Sequence, residues 1–94
     1  MSEVAKMNEV TDDDIKKLRH MLGANPEIKK PSQFGSRNYY LTANEGQGME
    51  AMRRLETAGL VWEGACLENE TYFHANEAGC NKIGFTRTQI RRAI

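Results

Sequence analysis

The sequence predicts a small α+β domain in the order N-terminal helix, short strand, central helix, β-hairpin and C-terminal helices. Three observations carry that prediction. The chain has 94 residues and a mass of 10.7 kDa, and a chain of this size buries only roughly two thirds of its unfolded surface, enough for one core and not two. Segments with apolar residues at helical spacing, bounded by capping residues and glycines, alternate with short runs of aromatic and β-branched residues. The composition, 39% hydrophobic and 28% charged with two prolines, is that of an ordinary globular chain.

Thr11-Asp12-Asp13-Asp14 opens the first helix. Thr11 is placed to cap, Asp14 stands at the third helical position, and three carboxylates sit at the positive end of the helix dipole. Val10 and Ile15 are spaced as a hydrophobic staple, Ile15, Leu18, Met21 and Leu22 recur on one face, and Gly23 supplies the stop, so a helix is expected over 12–22. Residues 1–10 ahead of it are expected to be a flexible N-terminal segment, with 11–94 forming the single domain. Between 24 and 36, Asn25-Pro26, Lys30-Pro31 and Phe34-Gly35-Ser36 interrupt any helix, because each proline biases the residue before it away from the helical region.

Arg37-Asn38-Tyr39-Tyr40-Leu41-Thr42 reads as a short strand that ends at Asn44-Glu45-Gly46-Gln47-Gly48. Gly46-Gln47-Gly48 lacks both the Lys-Ser/Thr of a phosphate loop and the third glycine of a dinucleotide turn. Residues 49–58 are helix formers with Met49, Met52 and Leu55 along one face, and Gly59-Leu60 has the pattern of a C-cap. The methionines read as core filler. Leu60 to Leu67 and Thr71 to Ala75 read as two strands joined through the acidic tip Glu68-Asn69-Glu70. Asn76 can cap a short helix that ends at Gly84. Thr86 with Gln89 forms a capping box for a last helix over 87–93, with Phe85 and Ile90 at staple spacing. The expected core is Ile15, Leu18, Leu22, Met52, Leu55, Leu60, Val61, Phe73 and Ile83.

Thirteen basic and thirteen acidic side chains balance, so the chain has no global field for drawing polyanions. The balance is patterned. Residues 1–14 carry one base and five acids, 15–40 six bases and one acid, 41–79 two bases and seven acids, and 80–94 four bases and no acid. If the fold brings Lys16 to Arg37 beside the C-terminal arginines, a basic patch forms on a neutral protein; the simpler reading is that these charges solvate helix faces. No apolar run approaches the roughly 18 residues of a membrane span. The first residues show neither a secretory nor a transit pattern, which makes the cytoplasm the expected compartment.

Cys66 and Cys80 are too few for a disulfide scaffold and read as thiols. With His74 they make Cys-x7-His-x5-Cys, but structural zinc wants four ligands, normally with a close cysteine pair, and His20 belongs to another element; no metal or cofactor is expected. No nucleophile elbow or His-Glu-x-x-His helix is present, the carboxylates sit at helix starts and turn tips, and no catalytic residue is expected. His74 alternates with Tyr72 on one strand face and reads as a hydrogen-bonded structural histidine.

Met52-Arg53-Arg54-Leu55-Glu56-Thr57-Ala58-Gly59-Leu60-Val61, followed by Tyr72-Phe73-His74-Ala75-Asn76-Glu77-Ala78-Gly79, resembles a winged-helix domain over about half of the chain. The resemblance implies a recognition helix at 48–58, a wing at 60–75 and a further helix after Ala75. With Arg37-Asn38-Tyr39-Tyr40 ahead of it, the unit looks like a group of small phage and prophage proteins of unassigned function. Two features depart from a winged-helix regulator: no scaffold helix directly precedes 48–58, and Glu50, Glu56, Glu68 and Glu70 would repel phosphates at helix and wing.

The expected function is therefore non-catalytic binding of a protein partner by Tyr39, Tyr40, Trp62 and Tyr72, because tyrosine and tryptophan couple apolar area to a polar tip. Against this stands an inward packing of the four rings, since a domain with seven aromatics needs several for its core. The alternative function is nucleic-acid binding through Lys16, Lys17, Lys29, Lys30, Arg37, Arg53, Arg54, Arg87, Arg91 and Arg92.

Overall fold

The computed structural model describes residues 9–24 and 30–94. The expected N-terminal segment (1–8 of it), the turn at Asn25-Pro26 and Lys29 lie outside the described residues. The order is α1 (Asp12–Met21), a 3-10 turn (Pro31–Gln33), β1 (Tyr40–Ala43), α2 (Gln47–Thr57), β2 (Val61–Cys66), β3 (Glu70–Ala75), α3 (Glu77–Lys82) and α4 (Arg87–Ala93). The α+β layout expected from the sequence is the one observed. A single helix lies between β1 and β2, so α2 follows a strand and not a scaffold helix.

The capping signals act as expected. Thr11 Oγ1 accepts from the Asp14 amide at 3.1 Å, and the Asp14 carboxylate accepts from the Thr11 amide at 3.0 Å. Thr86 and Gln89 repeat the box at α4. Gly59, with φ at +79°, turns the chain out of α2 in the left-handed region that side chains avoid.

The three strands form an antiparallel sheet in the order β1-β3-β2. Tyr40 pairs with Phe73 and Thr42 with Thr71 on one side, while Val61, Trp62 and Glu63 pair with Ala75, His74 and Phe73 on the other. Beyond Glu63 the register slips by one residue, so Gly64 and Ala65 together oppose Tyr72 before Cys66 pairs with Thr71. β1 begins at Tyr40, three residues after the expected start at Arg37, and Asn38 joins the sheet through its side chain. Its amide donates to the Ala75 carbonyl at 2.9 Å and accepts from the Ala75 amide at 2.7 Å, replacing a strand's peptide group.

α1 packs on β3 and α2 on β1 and β2, and between helices and sheet lie Leu18, Met21, Leu22, Met49, Met52, Leu55, Val61, Phe73, Ala75, Cys80, Ile83 and Phe85. Of the expected core, Ile15 and Leu60 are only partly buried and pack against its rim. α1 and α2 are also clamped by charge. Arg54 reaches Asp14 through Nε at 2.7 Å and Nη2 at 2.9 Å, a two-pronged pair whose carboxylate is 1% exposed. Burial pushes the Asp14 carboxyl up, but the bonds from Arg54 and Thr11 outweigh it and hold the group below its usual range. Among the described residues no helix is long and apolar enough to cross a membrane.

Candidate binding face

A β-strand sends successive side chains to opposite faces. Thr42, Thr71, Phe73, Ala75 and Val61 face the helices and are buried. Leu41, Tyr72, His74 and Trp62 therefore face the other way, where the described residues provide no covering layer: Trp62 is 51% and Leu41 38% exposed. Tyr39, at the entrance to β1, joins this side and is 44% exposed.

The rings form one row across the sheet. Trp62 lies 4.5 Å from His74, His74 lies 6.5 Å from Tyr72 and nearly parallel to it at 11°, and Tyr72 meets the edge of Tyr39 at 6.1 Å and 66°. Beyond Tyr39 the row ends in a cation, with the Arg37 guanidinium 4.2 Å from the ring centroid and Nη2 donating to the Tyr39 carbonyl at 3.2 Å. Asn38, Tyr39, Ala65, Tyr72 and His74 line an open groove of about 500 Å³ within the row.

Two details hold the row in place. The His74 Nδ1 lies 2.8 Å from the Asn38 carbonyl, which can only accept, so Nδ1 carries the proton and Nε2 is left over the sheet. Gly64 makes room for that ring, since a Cβ there would stand 2.6 Å from His74 Nε2. The hydrogen-bonded role expected for His74 is thus observed, and the half-buried ring is at the same time part of the row on the open face.

Of the four aromatic residues expected at a binding surface, the structure brings Tyr39, Tyr72 and Trp62 together and leaves Tyr40 out. Tyr40 pairs with Phe73 on the helix side, where it is partly buried against the core, because one step along a strand reverses the face. Of the ten basic residues expected at a nucleic-acid surface, three of the described ones are held in ion pairs. Lys17 is paired with Asp13, Arg53 with Glu56 and Glu63, and Arg54 with Asp14. Arg92 donates to the carbonyls of Ser32 and Phe34. Lys16 and Lys30 are exposed elsewhere, Arg37 caps the aromatic row, Lys29 lies outside the described residues, and Arg87 and Arg91 stand exposed on α4.

Cys66 is exposed on β2, and Cys80 is buried in the core, where burial and then the nearby Glu77 raise its thiol. Among the described residues no three His, Cys, Asp or Glu side chains gather as a metal site requires. Neither Asn38, part of the resembling Arg37–Tyr40 segment, nor Gly64 has a structural role assigned from the sequence. Gly64 carried a signal, since a glycine inside a strand marks a bulge or a close approach; Asn38 carried none. No known protein family, curated protein or solved structure matches the chain.

Proposed function

We propose that the chain is a non-catalytic binding module, of the phage or prophage type that its Arg37–Tyr40 segment resembles, and that it docks a protein partner on the open face of the sheet. The observation that carries this reading is the continuous row Trp62, His74, Tyr72 and Tyr39 on the open face of the sheet, exposed at Trp62 and Tyr39 and half-buried at His74 and Tyr72. Large rings with polar tips, held rigid by their neighbours, are the groups that dominate protein interfaces. The reading against a nucleic-acid partner rests on charge. Arg37 is the cation that touches the row, whereas Glu70 shares the outward register of Tyr72 and His74, and a phosphate backbone needs several cations along its path. The two free thiols support a reducing, cytoplasmic setting.

Affinity capture from a cell lysate with the wild type and with a Trp62→Ala/Tyr72→Ala variant tests the reading. A partner held by the wild type should be lost from the variant while the circular-dichroism melt stays nearly unchanged. Equal retention by both proteins refutes the reading. A duplex gel shift that weakens steeply with salt would favour nucleic acid instead.

A further inference from the structure

From the layout of the open face we infer which protein it docks: a second copy of this chain, turned end for end about a two-fold axis. The inference rests on the protein-docking reading and names its partner. It starts from charge. Arg37 stands at the end of the face where the chain enters β1, and Glu70 stands at the opposite end, paired with Ala43 and exposed. Among the described residues neither side chain belongs to an ion pair. The face therefore has a positive end and a negative end, while the chain as a whole is neutral, so two copies do not repel each other.

A two-fold interface is its own complement: residue i of one copy meets residue j of the other, and j meets i. An axis that runs across the strands, between two sheets stacked face to face, reverses strand direction and sets Arg37 of each copy against Glu70 of the other. Pairing those ends fixes the register between them. Tyr40 is level with Phe73, so Arg37 is level with Asn76, and the midpoint between that level and Glu70 is Phe73. His74 and Tyr72 lie one step to either side of it, so His74 of one copy faces Tyr72 of the other. With its proton on Nδ1, His74 offers a free Nε2 to the Tyr72 hydroxyl, which has no hydrogen-bond partner among the described residues. Along β1, Tyr39 meets Leu41, and both are exposed. Along β2, Trp62 is level with His74 and meets the bulge opposite Tyr72, where Gly64 and Ala65 leave room for an indole. Opposite charges, donor and acceptor, and large and small residues thus lie at exchanged levels of one surface. The three strands make a face of roughly 14 by 20 Å, smaller than the roughly 800 Å² per partner of a standard interface, so the dimer is a weak, concentration-dependent one.

Sedimentation velocity of the full-length chain from about 10 μM to about 1 mM should show a monomer–dimer equilibrium. Trp62, the single tryptophan, should shift its emission to the blue over the same range, because the indole leaves water. Trp62→Ala/Tyr72→Ala should sediment as a monomer throughout. Arg37→Glu and Glu70→Arg should each weaken association at least about tenfold by setting like charges against each other. An equimolar mixture of those two variants should recover it, because each charged end then meets its opposite. Recovery in the mixture supports the inference, and no folding defect in either variant can produce it. A wild type that stays monomeric, a dimer that survives Trp62→Ala/Tyr72→Ala, single charge reversals that associate like the wild type, or a mixture no better than its components overturns it. Capture from lysate separates this inference from the reading beneath it. A partner lost from Trp62→Ala/Tyr72→Ala while the wild type stays monomeric overturns self-association and leaves protein docking standing. No face-dependent partner in either experiment overturns both.

Discussion

The Asp14–Arg54 pair offers the sharpest test of how the domain is held together, because its two members are unequal. Asp14 is 1% exposed, whereas the Arg54 side chain retains 25% of its accessible surface. Replacing Arg54 with methionine keeps the stem's packing but strands a buried carboxylate, whose remaining support is the capping contact with Thr11. Loss of one partner from a buried pair costs about 3–5 kcal/mol. Replacing Asp14 with asparagine removes the charge but keeps an oxygen for the Thr11 cap and for Arg54, whose guanidinium can turn to water; this should cost only about 1–2 kcal/mol. For a domain of this size 1 kcal/mol shifts the melting temperature by about 4–8 °C, so a difference of about 1–4 kcal/mol should separate the two variants by roughly 4–30 °C. The pair also sets a pH dependence. Asp14 is held below its ordinary value of 3.8, so its contribution is fully present above that value and is lost as pH falls through the lower folded-state value. The Arg54→Met deficit should therefore shrink at acid pH, where the stranded carboxyl takes up a proton. Urea melts of both variants at pH 7 and near pH 3 measure this. Equal destabilisation by the two substitutions, or an Arg54→Met deficit that grows in acid, refutes the reasoning.

Leu55 is fully buried between α2 and the sheet, and Leu55→Ala should lower the unfolding free energy by about 2–5 kcal/mol in urea; an unchanged midpoint would contradict the placement of α2. Asn38→Ala removes bonds to both Ala75 and Ala93 and strands peptide groups, at a cost of about 2–3 kcal/mol with faster hydrogen exchange at Ala75. One thiol, Cys66, should react promptly with a disulfide reagent in the native state, and Cys80 only after denaturation. Neither chelator nor reductant should move the melting temperature; a large drop with chelator would point to a bound metal.

The elements that the sequence determined by itself are those whose signals lie within a turn or two of chain. The capping boxes at Thr11 and Thr86, the stripe Met49, Met52 and Leu55, and the stop at Gly59 each depend on residues three or four apart, and each is found where the sequence places it. The β-hairpin follows from its aromatic runs and polar tip for the same reason. What the tertiary structure decided are relations across long stretches of chain. Asp14 was legible as a helix cap, but its bond to Arg54 spans forty positions and appears only when α1 and α2 pack together. Asn38 reaches Ala75 and Ala93 over 37 and 55 positions, with no periodicity to announce it. The fate of the aromatic rings belongs to this class. Alternation states that Tyr40 and Leu41 oppose each other, and likewise Tyr72 and Phe73, but not which of the two sets meets the helices. That choice is made by the side on which α1 and α2 bury their apolar stripes, which sends Phe73 and Tyr40 inward and leaves Tyr39, Tyr72, His74 and Trp62 on the open face.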